Sequence, residues 1–236
     1  MKLGRLFARL FAPPDAAAHV GRIAARDECR YALDVGCGRY SHFTALRPKI
    51  FSVGVDAFGA AIQLSRDRGL HDDYAQLDIL KDSADRLTEK IGGRKFDIVG
   101  LFGLIEHLPK RQGYELLEKC EALTSKFVVV ETPNGFTEQG AEFGNEYQRH
   151  LSGWFIHDFE GLGYKVSGTT GTRYLRGYAS GPRYAFRGCT SLDCLLAWVL
   201  SADLRPKHAY NLLAIKDVRG VPPRLGLSFG KAPACP

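Results

Sequence analysis

The run Tyr31-Ala32-Leu33-Asp34-Val35-Gly36-Cys37-Gly38-Arg39-Tyr40 constrains this chain more than any other ten residues. It reads as a short buried strand that ends on an acidic residue and breaks into a glycine loop. In an open α/β sheet, a nucleoside-containing cofactor binds at that junction, the carboxyl end of the first strand. A dinucleotide site prepares its glycine loop and helix N-terminus for a pyrophosphate. Asp34 would repel that anion, and Ser41 stands where a third glycine would be needed. A cofactor bearing a sulfonium and an α-ammonium group, S-adenosylmethionine, suits the carboxylate instead. Gly36 and Gly38 then let the backbone approach the methionine portion without a Cβ in the way.

The 236 residues can bury a full α/β core as one domain. Hydrophobic content of 45% and charged content of 25% are globular values, and no apolar run reaches bilayer length. Six cysteines (Cys29, Cys37, Cys120, Cys189, Cys194, Cys235) include no C-x-x-C pair, and no secretory signal precedes them. They read as reduced thiols of a cytoplasmic protein. A net charge of +6 admits nucleic acid or an anionic acceptor and establishes neither.

Alternating apolar runs and helical periods predict a mostly parallel sheet. The expected strands are Tyr31–Val35, Ile50–Val55, Tyr74–Leu77, Phe96–Leu101, Phe127–Val130, Tyr164–Gly168 and Ala209–Ile215. Helices are expected over Gly59–Arg68, Ala84–Ile91, Lys110–Leu123 and Trp154–Gly161. Acidic residues close the early strands. Asp56, twenty residues after Gly36, is placed to accept hydrogen bonds from ribose hydroxyls, with Ala57 and Phe58 beside it. Asp78 is placed to accept from an adenine amino group, with Leu77 and Ile79 flanking the ring. Cys37 belongs to the loop itself, and His42 follows it toward the methionine end.

Together these pieces resemble the class I S-adenosylmethionine-dependent methyltransferases. The matching segments are Leu33-Asp34-Val35-Gly36-Cys37-Gly38, Val53-Gly54-Val55-Asp56, Asp78, and Phe96-Asp97-Ile98-Val99 leading into Ile105-Glu106-His107-Leu108-Pro109-Lys110. The resemblance spans roughly residues 25 to 170. It implies a Rossmann-like seven-stranded sheet, helices on both faces, with its last strand antiparallel. It also puts Phe102, Gly103, Leu104, Glu106 and His107 near the reacting methyl group. A prokaryotic subgroup of largely unassigned substrate shares the Glu-His-Leu-Pro-Lys, Thr132-Pro133-Asn134-Gly135-Phe136 and His150-x-Ser152-Gly153-Trp154 segments.

Thr-Pro-Asn-Gly is not expected to continue a central strand, so the chain should turn out over the carboxyl edge there. The long polar loop that follows is taken as the acceptor side. Methyl transfer is an in-line displacement in which positioning does most of the work. An alcohol or phenol acceptor also benefits from a base, for which His107 and His150 are the candidates, with Glu106 alongside. His157 is expected at the surface. Glu106-His107 with a later histidine also resembles the magnesium site of small-RNA 3′-end methyltransferases and some quinone O-methyltransferases. Those carry an acidic residue where Gly103 stands here. Two histidines and one glutamate suit magnesium poorly, so no metal is expected.

The flanks divide from the core. Leu3, Leu6, Phe7, Leu10 and Phe11 with Lys2, Arg5 and Arg9 make a basic amphipathic helix within residues 1–24, read as a cap. Residues 25–220 form the catalytic domain, with 169–208 inserted and 221–236 a tail. The insertion carries Arg173, Arg176, Arg183 and Arg187 among Tyr174, Tyr178, Tyr184 and Phe186. The apolar segment Leu192–Leu204 then covers a sheet face or makes a homodimer contact. Three functions stay open: a methyltransferase acting on oxygen or nitrogen of a small-molecule or glycan-type acceptor, an RNA methyltransferase, and a non-catalytic binding subunit of the same fold.

Overall fold

Strands buried on both faces need continuous aliphatic runs, and the centre of this sheet is built from them. The computed structural model describes residues 15–82, 88–91, 93, 95–141, 145–175 and 205–220. Helix α1 (Ala16–Arg26) starts where the Asp15 carboxylate accepts from Ala18 N at 2.8 Å. Then follow β1 (Tyr31–Val35), β2 (Phe51–Asp56), α2 (Gly59–Asp67), β3 (Asp73–Gln76) and β4 (Phe96–Phe102). The second half holds α3 (Lys110–Leu123), β5 (Thr124–Pro133), α4 (Ile156–Glu160), β6 (Lys165–Thr172) and β7 (Ala209–Asp217).

The seven strands lie in the order β3-β2-β1-β4-β5-β7-β6, parallel except for β7, which runs antiparallel to both β5 and β6. This is the Rossmann-like α/β architecture expected from the sequence. Alternate residues of each central strand feed opposite cores. Leu33, Val99, Val128 and Leu212 pack on one face; Ala32, Ile98, Val129 and Leu213 pack on the other against α1. The chain leaves β1 for β2 on one side and reaches β4 on the other. A crevice therefore opens at the carboxyl ends of β1 and β4, where such sheets bind ligands.

Two local expectations need correction. β5 does not stop before Thr132-Pro133 but runs through them. β4 ends at Phe102, opposite Glu131, so beyond that point β5 has β7 alone as its neighbour. A proline is tolerated there because no ladder bond to β4 is needed. The helix expected from Trp154 begins only at Ile156. Trp154 instead bridges back to Asn134 and Gly135, with Gly135 N donating to Trp154 O at 2.7 Å. The expected N-terminal helix and the Leu192–Leu204 segment lie outside the described residues, as does most of the basic aromatic stretch and of the helix expected over 84–91.

Trp154 is fully buried and closes a strap that leaves the sheet at Asn134. Its Nε1 donates to Ser152 Oγ at 3.0 Å, and Lys110 Nζ lies 3.9 Å from its ring centroid. The same ammonium binds Gly153 O at 2.7 Å and Asp158 Oδ2 at 2.6 Å. Gly113 makes room for the indole, since a Cβ there would come 2.3 Å from Trp154 Cζ2. Helix propensity alone would have Gly113→Ala stabilise α3 by about 1 kcal/mol. Overpacking should reverse that sign and give a net loss of about 1–3 kcal/mol in urea unfolding.

Candidate active site

The glycine loop after β1 is tied to the next strand by its backbone. Gly36 N and Cys37 N both donate to Val55 O, at 2.8 and 3.1 Å. Gly36 adopts φ +71° beneath Leu104, whose Cδ1 would be 2.7 Å from any Cβ there, so no other residue fits. Asp56 closes the loop by accepting from Gly38 N at 3.3 Å and from Phe58 N at 2.9 Å. Its carboxyl is raised by burial, a shift those backbone bonds oppose.

Asp34, Cys37 and Ile79 are all buried. The Cys37 side chain is fully buried, its thiol pushed up to about 12 by desolvation. Ile79 packs in the main core, while Ala57 O accepts from Gln76 Nε2 at 3.2 Å. Asp78 lies two residues beyond β3, with one oxygen accepting from Leu80 N at 3.2 Å and the other 2.8 Å from Lys81 Nζ. Asp34 is 1% exposed, and burial raises its pKa to about 7 against an opposing Ser41 hydrogen bond. Facing it at 3.4 Å is His71 Nε2, lowered to about 4 by its own burial. Neither Asp34 Oδ2 nor His71 Nε2 has a hydrogen-bond partner among the described residues, and burial disfavours charge on both. His71 went unnoticed in the sequence because its place depends on Gly54, whose missing Cβ leaves the ring its space.

Beyond β4, Phe102 packs edge-on to His42, their centroids 4.5 Å apart. His42 Nε2 sits 3.0 Å from Glu131 Oε2. Burial opposes the imidazolium, but the Glu131 bond and charge outweigh it and raise His42. Burial likewise opposes the Glu131 carboxylate, and the His42 bond outweighs it and lowers Glu131. Glu131 Oε1 also accepts from Thr169 Oγ1 at 2.6 Å. Glu131 was not singled out in the sequence: it lies inside β5, two residues before the strand ends at Pro133, where no turn residue marks it.

The three residues nominated for catalysis come together. Glu106, His107 and His150 each present a ligand-capable atom within 4.8 Å of the others, and the two imidazole centroids are 4.8 Å apart. Glu106 is buried, accepts from Thr132 Oγ1 at 2.9 Å, and is pushed up to about 7 by desolvation. His107 Nδ1 donates to Arg149 O at 3.2 Å and His150 Nδ1 to Thr137 O at 2.6 Å, which leaves the lone pair of each ring on Nε2. Burial, then the neighbouring His150, lowers His107 and keeps it neutral. Gly103, at φ +65°, supplies no ligand. This donor set would suit a borderline divalent ion better than magnesium. His157 is at the surface, its side chain 81% exposed.

No family model matches the chain, and no curated protein matches it by sequence. Solved structures do match in shape. The plantazolicin methyltransferase BpumL, in complex with a pentazolic desmethylPZN analog and SAH, is 17% identical with a TM-score of 0.52, the match covering 89% of this chain and 84% of that one. The methyltransferase domain of bacterial CtHen1 (the CN form) is 16% identical with a TM-score of 0.50, covering 84% of this chain and 95% of that one. The chain has the S-adenosylmethionine-dependent methyltransferase fold. At these identities the likeness is one of architecture, and the site rests on its own residues. No helix among the described residues is long and apolar enough to cross a membrane.

Asp34 gives the site a signature in pH. Its folded pKa, raised above the usual 3.8, contributes stability that is present at low pH and lost as pH rises through about 7. Glu106 acts with the same sign, so the variant comparison isolates Asp34. Between about pH 5 and about pH 7, wild type should lose roughly 2 kcal/mol relative to Asp34→Asn in urea unfolding. A pH-independent difference would show that Asp34 ionises normally.

Proposed function

We propose that this chain is an S-adenosylmethionine-dependent methyltransferase acting on an oxygen or nitrogen of a small-molecule or glycan-type acceptor. The reading is carried by one juxtaposition: the histidine pair His107 and His150 beside a glycine cradle at the carboxyl edge of a methyltransferase-type sheet. The cradle fits the donor. Gly38, at φ +38°, has only Gly36 O near its absent Cβ, so its open side can take a bulky ligand against the backbone. Asp56 keeps a half-buried carboxylate for ribose hydroxyls, and the ionised His42–Glu131 pair lines the methionine side. The exposed Phe58, Asp78 and the core residue Ile79 border the adenine side.

S-adenosylmethionine, when bound, supplies an electrophilic methyl group on a sulfonium whose sulfur leaves as a neutral thioether. His107 accepts the acceptor's proton at Nε2 as the new oxygen–carbon or nitrogen–carbon bond forms, so charge balances across the step. Its Nδ1 bond to Arg149 O fixes the tautomer that makes this proton transfer possible. His150 stacks edge-on and disfavours a second positive charge, which keeps His107 available as a base. Thr132 Oγ1 holds the Glu106 carboxyl, and the Glu106 backbone carbonyl, accepting from Leu151 N and Ser152 N, holds the segment beside His150 against the loop that carries His107. No metal ion is required by this scheme.

Asp56→Ala should weaken S-adenosylhomocysteine binding by about 1–3 kcal/mol in calorimetry, and unchanged affinity would remove the ribose assignment. His107→Ala should lower kcat about 100-fold or more while leaving S-adenosylhomocysteine affinity within about threefold. Because His107 is lowered from 6.5, the acidic limb of the wild-type rate profile should fall below that value and disappear in the variant. Chelation by EDTA or phenanthroline should leave turnover unchanged. Loss of turnover restored by zinc, cobalt or manganese would convert Glu106, His107 and His150 from a base cluster to a metal site.

A further inference from the structure

The strap between Asn134 and Trp154 does more than border the acceptor. It leaves β5, yet its tip reaches the other side of the crevice, past β4 and β1, to the end of β2. There the Tyr147 ring lies 6.1 Å from the Phe58 ring, centroid to centroid, with the planes tilted by 40°. The Tyr147 phenol is also close enough to Lys81 to act on its charge, and Lys81 pairs with Asp78. Tyr147 therefore meets Phe58 and Lys81, the latter paired with Asp78, on the adenine side and not the acceptor side.

The tip is shaped to present that ring. Residues Glu146–Gln148 form a short 3-10 turn in which Asn145 Oδ1 accepts from Tyr147 N at 3.0 Å. Behind the turn, Gln139 Nε2 donates to Gln148 O at 2.8 Å, and His150 N donates to Gln139 O at 3.0 Å. Despite this support, Tyr147 stays 66% exposed and Phe58 39% exposed. Two aromatic rings held together at a cleft mouth yet left wet offer stacking surface to a flat π-system.

We infer that Tyr147 is a donor-binding residue, forming with Phe58 an aromatic cover for the adenine end and linking donor binding to the strap that carries His150. This rests on the donor assignment above. Two residues separate Tyr147 from His150, and Arg149, one of them, supplies the carbonyl that fixes His107. Stacking at Tyr147 thus holds the segment that sets both imidazoles.

Calorimetry on wild type, Tyr147→Ala, Tyr147→Phe and Tyr147→Trp tests it, with S-adenosylhomocysteine and methylthioadenosine as the probes. Tyr147→Ala should weaken both ligands about tenfold, since both carry the adenine, while the unliganded melting temperature stays as in wild type. Tyr147→Phe should bind within about twofold of wild type, because the ring and not the hydroxyl stacks. The indole of Tyr147→Trp should be quenched when either ligand binds. Equal binding by wild type and Tyr147→Ala, or a Tyr147→Phe defect as large as that of Tyr147→Ala, overturns the aromatic cover. Failure of wild type to bind S-adenosylhomocysteine at all removes the donor site itself, a distinct result that takes the cover with it.

Discussion

The burial of one indole holds the functional half of this molecule together. Trp154 sits in the core between α3 and the strap, stacked 5.2 Å from Phe159 and edge-on 5.1 Å from Tyr114. Every polar neighbour it needs is local: Ser152 and Ile105 O for Nε1, Lys110 over the ring, and Asp158 to balance that charge. Filling that slot fixes where the strap re-enters the fold. Leu151 N and Ser152 N then donate to Glu106 O at 2.8 and 3.1 Å, locking the strap to the loop after β4. His150 is brought to His107 as a consequence of that docking.

The carboxyl edge also shows two ways to keep an acid away from water. Glu131 keeps its charge by pairing with His42 and accepting from Thr169. Asp34 and Glu106 are instead both pushed up to about 7 by desolvation, Asp34 facing the His71 imidazole and Glu106 holding one bond from Thr132 Oγ1. Desolvation is the common force, and a charged partner decides the outcome.

Much of this was legible in the chain. The glycine loop, the succession of strands along the chain and the span of α3 follow from aliphatic runs and from turn residues that admit few conformations. The grouping of Glu106, His107 and His150 was legible as a list of candidates, because strand ends are where sheet enzymes keep their chemistry. Contacts that depend on a missing side chain were not. Gly54 opening a place for His71, and Gly113 opening one for Trp154, are relations between distant residues that no local pattern carries. The reach of the strap's tip was not legible for a related reason: it is set by the strap's anchors, and both anchors are tertiary.

The antiparallel β7 has a topological consequence. β6 ends at Thr172 directly opposite Ala209, where β7 begins, and β7 starts beside Pro133 at the carboxyl end of β5. Arg173 N donates to His208 O at 3.0 Å, so the pairing of β6 with β7 closes at the same edge where β1, β4 and β5 end. The reversal of β7 thus returns the chain twice to the carboxyl edge, and the ends of five strands lie along one side of the sheet.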